Sequence, residues 1–300
     1  MMTQSGLRVF EGAVALVTGA GSGIGKALSK NLSSRRCVVV AADRDLEPAQ
    51  EVAGALQREG RVATATLLDV RNLARFQETV AQTVETHGRL DFLFNNAGIV
   101  GGGEIFNSTI DEWRAIIEVN LFGVIHGVLA AYPLMRRQGF GHIVNTASMA
   151  GLVPSPLGAS YSTTKHAVVG LSKALRAEAA SAGVRVSVLC PGAVRTPILE
   201  GGRHGVLGRE IPEEEQRKAM RELSERLRPV DPLRFASAAL DAVARNKPII
   251  IVPRWWKVLW WMDRASPSLS LLAAQWLFET TIREFSSTQY TRGTPPQPRL

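Results

Sequence analysis

The sequence predicts an α/β fold, a doubly wound parallel seven-stranded sheet with helices on both faces and a helical extension behind it. Three observations predict it. Short apolar, β-branched runs recur along the chain, helix-length segments separate them, and a glycine-rich turn follows the first run directly. Near-continuous apolar runs fit strands buried on both faces, as parallel strands are. Strand–helix alternation brings each new strand back beside an earlier one through a crossover helix.

The strands are expected at 13–17, 37–41, 63–68, 92–94, 142–146, 184–189 and 249–252. Helical segments are expected at 25–34, 47–59, 73–86, 110–137, 161–182 and 233–245. Two regions depart from the alternation. Residues 196–229 begin with glycines and continue as a charged run between the sixth and seventh strands, and nearly fifty residues follow the seventh strand. Three hundred residues, 45% of them hydrophobic, suffice for one large α/β domain.

Composition excludes several classes. Two cysteines, Cys37 and Cys190, make neither a disulfide framework nor a metal site, and their apolar surroundings mark them as buried strand residues in a reducing compartment. The five histidines lack ligand spacing, so no metal is expected. The first dozen residues lack the apolar core of a signal peptide, and no uninterrupted apolar run reaches membrane-spanning length. A cytoplasmic protein is expected. The net charge of +8 suits anionic cofactors or lipid surfaces; without basic blocks interleaved with aromatics, no nucleic-acid partner is expected.

The chemistry begins at 18–25, Thr-Gly-Ala-Gly-Ser-Gly-Ile-Gly, between the first strand and first helix. Glycines there let the backbone approach a pyrophosphate, and a helix N-terminus offers free N–H groups. The spacing is G-x-x-x-G-x-G, distinct from G-x-G-x-x-G. Asp43 follows the second strand, where a carboxylate accepts bonds from ribose hydroxyls and repels a 2′-phosphate. That favours NAD. Arg44, able to receive such a phosphate, keeps NADP as the alternative.

Tyr161 and Lys165 stand four apart, on one helical face, thirteen residues or more beyond Ser148. A neighbouring ammonium favours phenolate and lowers the phenol's pKa, making it an acid or base near neutrality. Taken singly, each of these residues has a structural explanation: a cap for Ser148, a core tyrosine for Tyr161. Ser148 lacks the G-x-S-x-G context of a hydrolase nucleophile.

Over about residues 10–252 the chain resembles the classical short-chain dehydrogenases/reductases. The matching elements are the glycine turn, Asp69-Val70, Asn95-Asn96-Ala97-Gly98, Asn120, Ser148, Tyr161-x-x-x-Lys165, and Pro191-Gly192 followed by Thr196. The resemblance implies a Rossmann-like catalytic domain over 1–252 and an NAD(P)-dependent oxidoreductase interconverting a secondary alcohol and a carbonyl. It implies a catalytic set of Asn120, Ser148, Tyr161 and Lys165. Tyr161 exchanges the proton, Lys165 supports it and holds the nicotinamide ribose, Ser148 binds the substrate oxygen and Asn120 holds a relay water. The cofactor set comprises Gly19, Ser22, Gly23, Ile24, Gly25, Asp43, Arg44, Asp69, Val70, Asn96, Ala97, Gly98, Pro191, Gly192, Val194 and Thr196, with Tyr161 and Lys165. Asp69 and Val70 are expected at the adenine and Thr196 near the carboxamide. A homodimer or homotetramer is implied. The other class of reading is a sensor or scaffold that keeps the dinucleotide fold without turnover.

The resemblance makes 196–229 the substrate loop, whose glycines suit a mobile lid. Leu152, Val153, Pro154 and Leu157, with Ile198 and Leu199, suggest an apolar substrate such as a steroid, retinoid or lipid. Beyond the sheet, five of the six tryptophans fall within 255–276, among Arg254, Lys257 and Arg264. An aromatic, basic, amphipathic extension over 253–285 reads either as packing on the domain or a second subunit, or as peripheral membrane contact through 254–278. Residues 286–300, polar and proline-rich, are expected to be disordered.

Overall fold

The computed structural model describes residues 7–101, 105–200 and 224–290. Seven strands form one parallel sheet: β1 (Val14–Thr18), β2 (Val38–Asp43), β3 (Ala63–Leu67), β4 (Phe92–Asn95), β5 (Gly141–Thr146), β6 (Val184–Pro191) and β7 (Ile249–Val252). Their order is β3-β2-β1-β4-β5-β6-β7. The chain winds outward from β1 one way and from β4 the other, which opens a crevice between their carboxyl ends.

Alternate residues of each strand enter different cores. Ala15, Val17, Val39 and Ala41 join α1 (Gly23–Ser34), α2 (Leu46–Arg58) and α7 (Pro232–Ala244). Leu16, Val40, Leu93 and Ile143 pack on the other side, under α3 (Leu73–His87), α5 (Gly123–Gln138) and α6 (Ala159–Ala179). Burial on both faces is why the inner strands are largely apolar, β1 being buried at every position. Local chemistry sets the helix ends. Asn72 accepts from Arg75 N, 2.9 Å, at the start of α3, and Gly88 closes that helix with φ +74°. Asp231 caps α7 and Pro232 occupies its first turn.

The structure differs from the sequence expectation in places that matter. The helix expected over 110–137 is two helices, α4 (Ile110–Ile117) and α5, joined by a π turn at Glu118–Phe122. The wider turn carries Asn120 inward, and its insertion is invisible to a 3.6-residue period. By length and composition this stretch, Ile110–Gln138, could cross a bilayer, yet α5 packs against α3 and the sheet. The segment expected over 161–182 starts at Ala159 and finishes as a 3₁₀ turn at Ala180–Ala182.

The C-terminal extension is helical. A 3₁₀ turn at Arg254–Trp256 leads into α8 (Lys257–Ala265), and Pro267, unable to continue that helix, opens α9 (Pro267–Tyr290). The helix thus runs on into the stretch expected to be disordered from 286; the rest of that stretch lies outside the described residues. Most of the substrate loop, 201–223, also lies outside them.

Candidate active site

The crevice begins at the glycine turn. Gly19 has φ +65°, and a Cβ there would stand 2.9 Å from Ala97 Cα, so the turn lies against the end of β4. A Cβ on Gly25 would stand 2.0 Å from the Gly19 carbonyl oxygen, so helix and turn meet backbone to backbone. Thr18 Oγ1 ties the two strand ends together, donating to Phe94 O at 3.3 Å and accepting from Asn96 N and Ala97 N, each 3.0 Å. The first turn of α1 has no acidic residue and no side-chain cap on its N–H groups. This cradle of free donors at a positive helix end fits a pyrophosphate.

Asp43 ends β2, 8% exposed, with Oδ2 accepting from Gly21 N at 2.8 Å and Oδ1 from Asp45 N at 3.1 Å. The carboxylate is thereby fixed beside the turn. Arg44 points outward, 42% exposed and 3.9 Å from Asp45 Oδ1. Val70 is buried against Gly123, while Asp69 is held by Arg71, with Nη2 to Oδ2 at 2.5 Å. The Arg71 hydrogen bonds keep the Asp69 carboxyl below its usual range. Thr196 reaches the same place from β6, backing onto Gly23, and its Oγ1 donates to Val194 O at 3.1 Å.

The four residues expected to be catalytic come from three segments: the π turn, the end of β5 and α6. Ser148 follows β5, its Oγ accepting from Ala150 N at 3.2 Å. Tyr161 lies in the first turns of α6, hydrogen-bonded to Ser148. Lys165, one turn on and 3% exposed, donates from Nζ to Thr146 O at 3.0 Å and lies 5.4 Å from the Tyr161 ring centre. Asn120 is fully buried on the π turn. Its Oδ1 accepts from Ile99 N at 2.8 Å and its Nδ2 donates to Ile99 O at 2.9 Å. A Cβ on Gly98 would be 3.2 Å from Asn120 Oδ1 and 3.5 Å from Lys165 Nζ, so the backbone of Gly98 passes close to both side chains.

One electrostatic expectation fails. Tyr161 is not lowered by the lysine: burial pushes the phenol up, and the Ser148 hydrogen bond only partly opposes it. Lys165 itself is pushed down to about 8 by burial, with the Cys190 thiol acting the other way. Desolvation is the largest cause for both groups, and the ammonium is turned to the Thr146 carbonyl.

On the substrate side, Leu152 and Val153 pack half-buried on the cluster of Ala147, Met149 and Val168 that flanks Ser148. Leu157 lies outside that cluster with φ +63°, a left-handed conformation rare for leucine. Ile198 and Leu199 occupy a short 3₁₀ turn, Pro197–Glu200, that leads into 201–223. Sequence reasoning missed Thr18, Thr146 and Trp256. Trp256 covers Gly192: a Cβ there would fall 2.2 Å from its indole nitrogen. The signal for Thr18 was present, a hydroxyl at the strand end of the glycine turn. For Trp256 no local pattern exists, since the contact joins residues 64 apart.

A profile of the short chain dehydrogenase family matches residues 13–205. A protein named as a monensin polyketide synthase ketoacyl reductase from Streptomyces virginiae is 40% identical over 206 residues, 68% of this chain and 77% of its own. A cyclohexanol dehydrogenase from Acinetobacter sp. is 40% identical over 194 residues, 63% of this chain and 76% of its own. Among solved structures, a short-chain dehydrogenase/reductase from Burkholderia phymatum in complex with NAD is similar with TM-score 0.78 and 32% identity. The match covers 88% of this chain and 96% of that one.

Proposed function

The chain belongs to the short-chain dehydrogenase family of oxidoreductases, and on that premise we propose that it interconverts a secondary alcohol and its ketone on an apolar molecule, with NAD as cofactor. The observation that carries this reading is the meeting of Asn120, Ser148, Tyr161 and Lys165 from three segments beside the glycine turn. NAD bound at that turn supplies the hydride acceptor for the carbinol carbon. Tyr161 Oη takes the hydroxyl proton in oxidation and returns it to the carbonyl oxygen in reduction. Ser148 Oγ holds that oxygen and donates to the charge that develops on it. Lys165, its ammonium loosened by burial, offers donors to ribose hydroxyls and to the phenolate once that forms. Asn120 fixes the Ile99 backbone and stands beside Lys165 Nζ across Gly98, where it would hold a water that relays protons from the ammonium.

The Asp43 carboxylate, fixed by Gly21 N–H, supports NAD over NADP because a 2′-phosphate would meet a like charge there. Leu152 and Val153 support an apolar substrate, as does the likeness to a cyclohexanol dehydrogenase. A panel of cyclic and long-chain secondary alcohols, assayed with each cofactor at the reduced-nicotinamide absorbance, tests the reading. Turnover with NAD on the apolar members is expected. Stoichiometric NAD binding without turnover on any of them would favour the sensor reading, and a clear preference for NADP would overturn the cofactor assignment.

A further inference from the structure

The extension divides its aromatic residues between two faces. Trp256 and Trp260 pack inward on the cluster of Ala147, Met149 and Val168. Trp255, Val258 and Trp261 turn outward, 47%, 69% and 59% exposed. On α9, Leu269, Leu272 and Trp276 share one face and are likewise exposed, with Leu277 at its edge; Leu271, also exposed, stands on the opposite side. Among the described residues α9 packs chiefly on α8, so these exposed apolar side chains lack cover from the sheet and its helices, and soluble monomers rarely leave large apolar areas bare.

Charge and aromatic chemistry point to what covers it. Within residues 254–264, Arg254, Lys257 and Arg264 stand against Asp263 alone, on a chain of net charge +8. Arg264 lies over the Trp260 ring at 5.5 Å, its cation at the rim of the aromatic patch. Indole rings with a polar N–H and an apolar body, rimmed by cations, match the boundary between acyl chains and phosphate headgroups. A second copy is the poorer occupant, because two such basic rims would face each other. Crossing is opposed by the break at Ser266 and by Glu279 within the second helix.

We propose that the outer face of α8 and α9 seats on an anionic lipid bilayer, lying in its interface without crossing it. That face lies outside residues 13–205, the stretch that the family profile matches. It also stands apart from the proposed reaction, since it uses no residue assigned to the cofactor or to proton transfer.

Flotation of the full chain with vesicles containing phosphatidylglycerol, against vesicles of phosphatidylcholine alone, tests it. The parent is expected to float with the anionic vesicles and to be released by added salt. Trp261→Ser and Trp276→Ser should each weaken partition by roughly tenfold, the loss from one large apolar side chain. Both positions are exposed, so circular dichroism and turnover of a water-soluble alcohol should match the parent. Failure to float, equal flotation with phosphatidylcholine alone, or unchanged flotation of the double variant would overturn the proposal. So would light scattering that finds a dimer split to monomers by the two substitutions while flotation stays unchanged. Lost turnover with flotation retained would count instead against the proposed reaction.

Discussion

Tyr161 and Lys165 carry opposite burdens of the same burial. The phenol is pushed above its ordinary range, so it is protonated at neutral pH and ready to donate. Alcohol oxidation needs the phenolate, and its kcat/KM should climb from neutral into alkaline pH, while carbonyl reduction stays level through neutrality; paired pH–rate profiles check this. Tyr161→Phe should keep NAD affinity and lose about a hundred- to ten-thousand-fold in kcat, read by titration calorimetry beside the rate assay. Lys165 is depressed to about 8 from 10.5. Between those pH values the unfolded chain holds a proton that the folded chain has released, so folding stability rises across that window. Below about 8 the folded chain bears the whole cost of a buried ammonium. Lys165→Met should therefore stabilise the protein at pH 7, on the order of 2 kcal/mol after the Thr146 carbonyl loses its donor. Thermal melts should show that gain fading toward pH 10.5, while turnover is lost.

The elements were legible where one physical rule dominated. Double-faced burial wrote β1 and β2 as largely apolar runs and left β6 apolar apart from Arg185 and Ser187, and the glycine turn announced where β1 gives way to α1. The π turn at Glu118–Phe122 was not legible, because one extra residue in a turn leaves the apolar pattern of α4 and α5 intact on either side. Its partner is distant: Asn120 bonds to the Ile99 backbone, a tertiary contact with no local signature. Residue identities at the candidate site could be read from order and spacing, whereas the raised phenol could not, since burial depends on the assembled fold. At this scale the glycine turn offers the sharper test. Gly25→Ala would set a methyl against the Gly19 carbonyl oxygen, backbone that cannot swing aside. A loss of about 1–3 kcal/mol in urea denaturation is expected, with weakened NAD binding.

At the scale of the molecule, the extension is part of the folded body on one side and bare on the other. Its position was not legible in the sequence: the alternation of apolar and basic residues in 254–264 fits either a domain or a lipid surface, and only the contact with Gly192 decides which tryptophans face inward. Trp256→Ala should cost about 2–3 kcal/mol by removing a half-buried aromatic from that contact, whereas Trp261→Ala should leave the urea midpoint unchanged.

That division of the indoles has an optical consequence. Only Trp113 lies outside the extension, so intrinsic fluorescence is almost wholly emitted from this appendage. Trp256, lying on Gly192, would pass excitation to a reduced nicotinamide bound beside that glycine, while the outward members register the polarity of whatever they rest upon. A single unlabelled sample thus carries two spectroscopic channels, one for occupancy of the dinucleotide site and one for attachment.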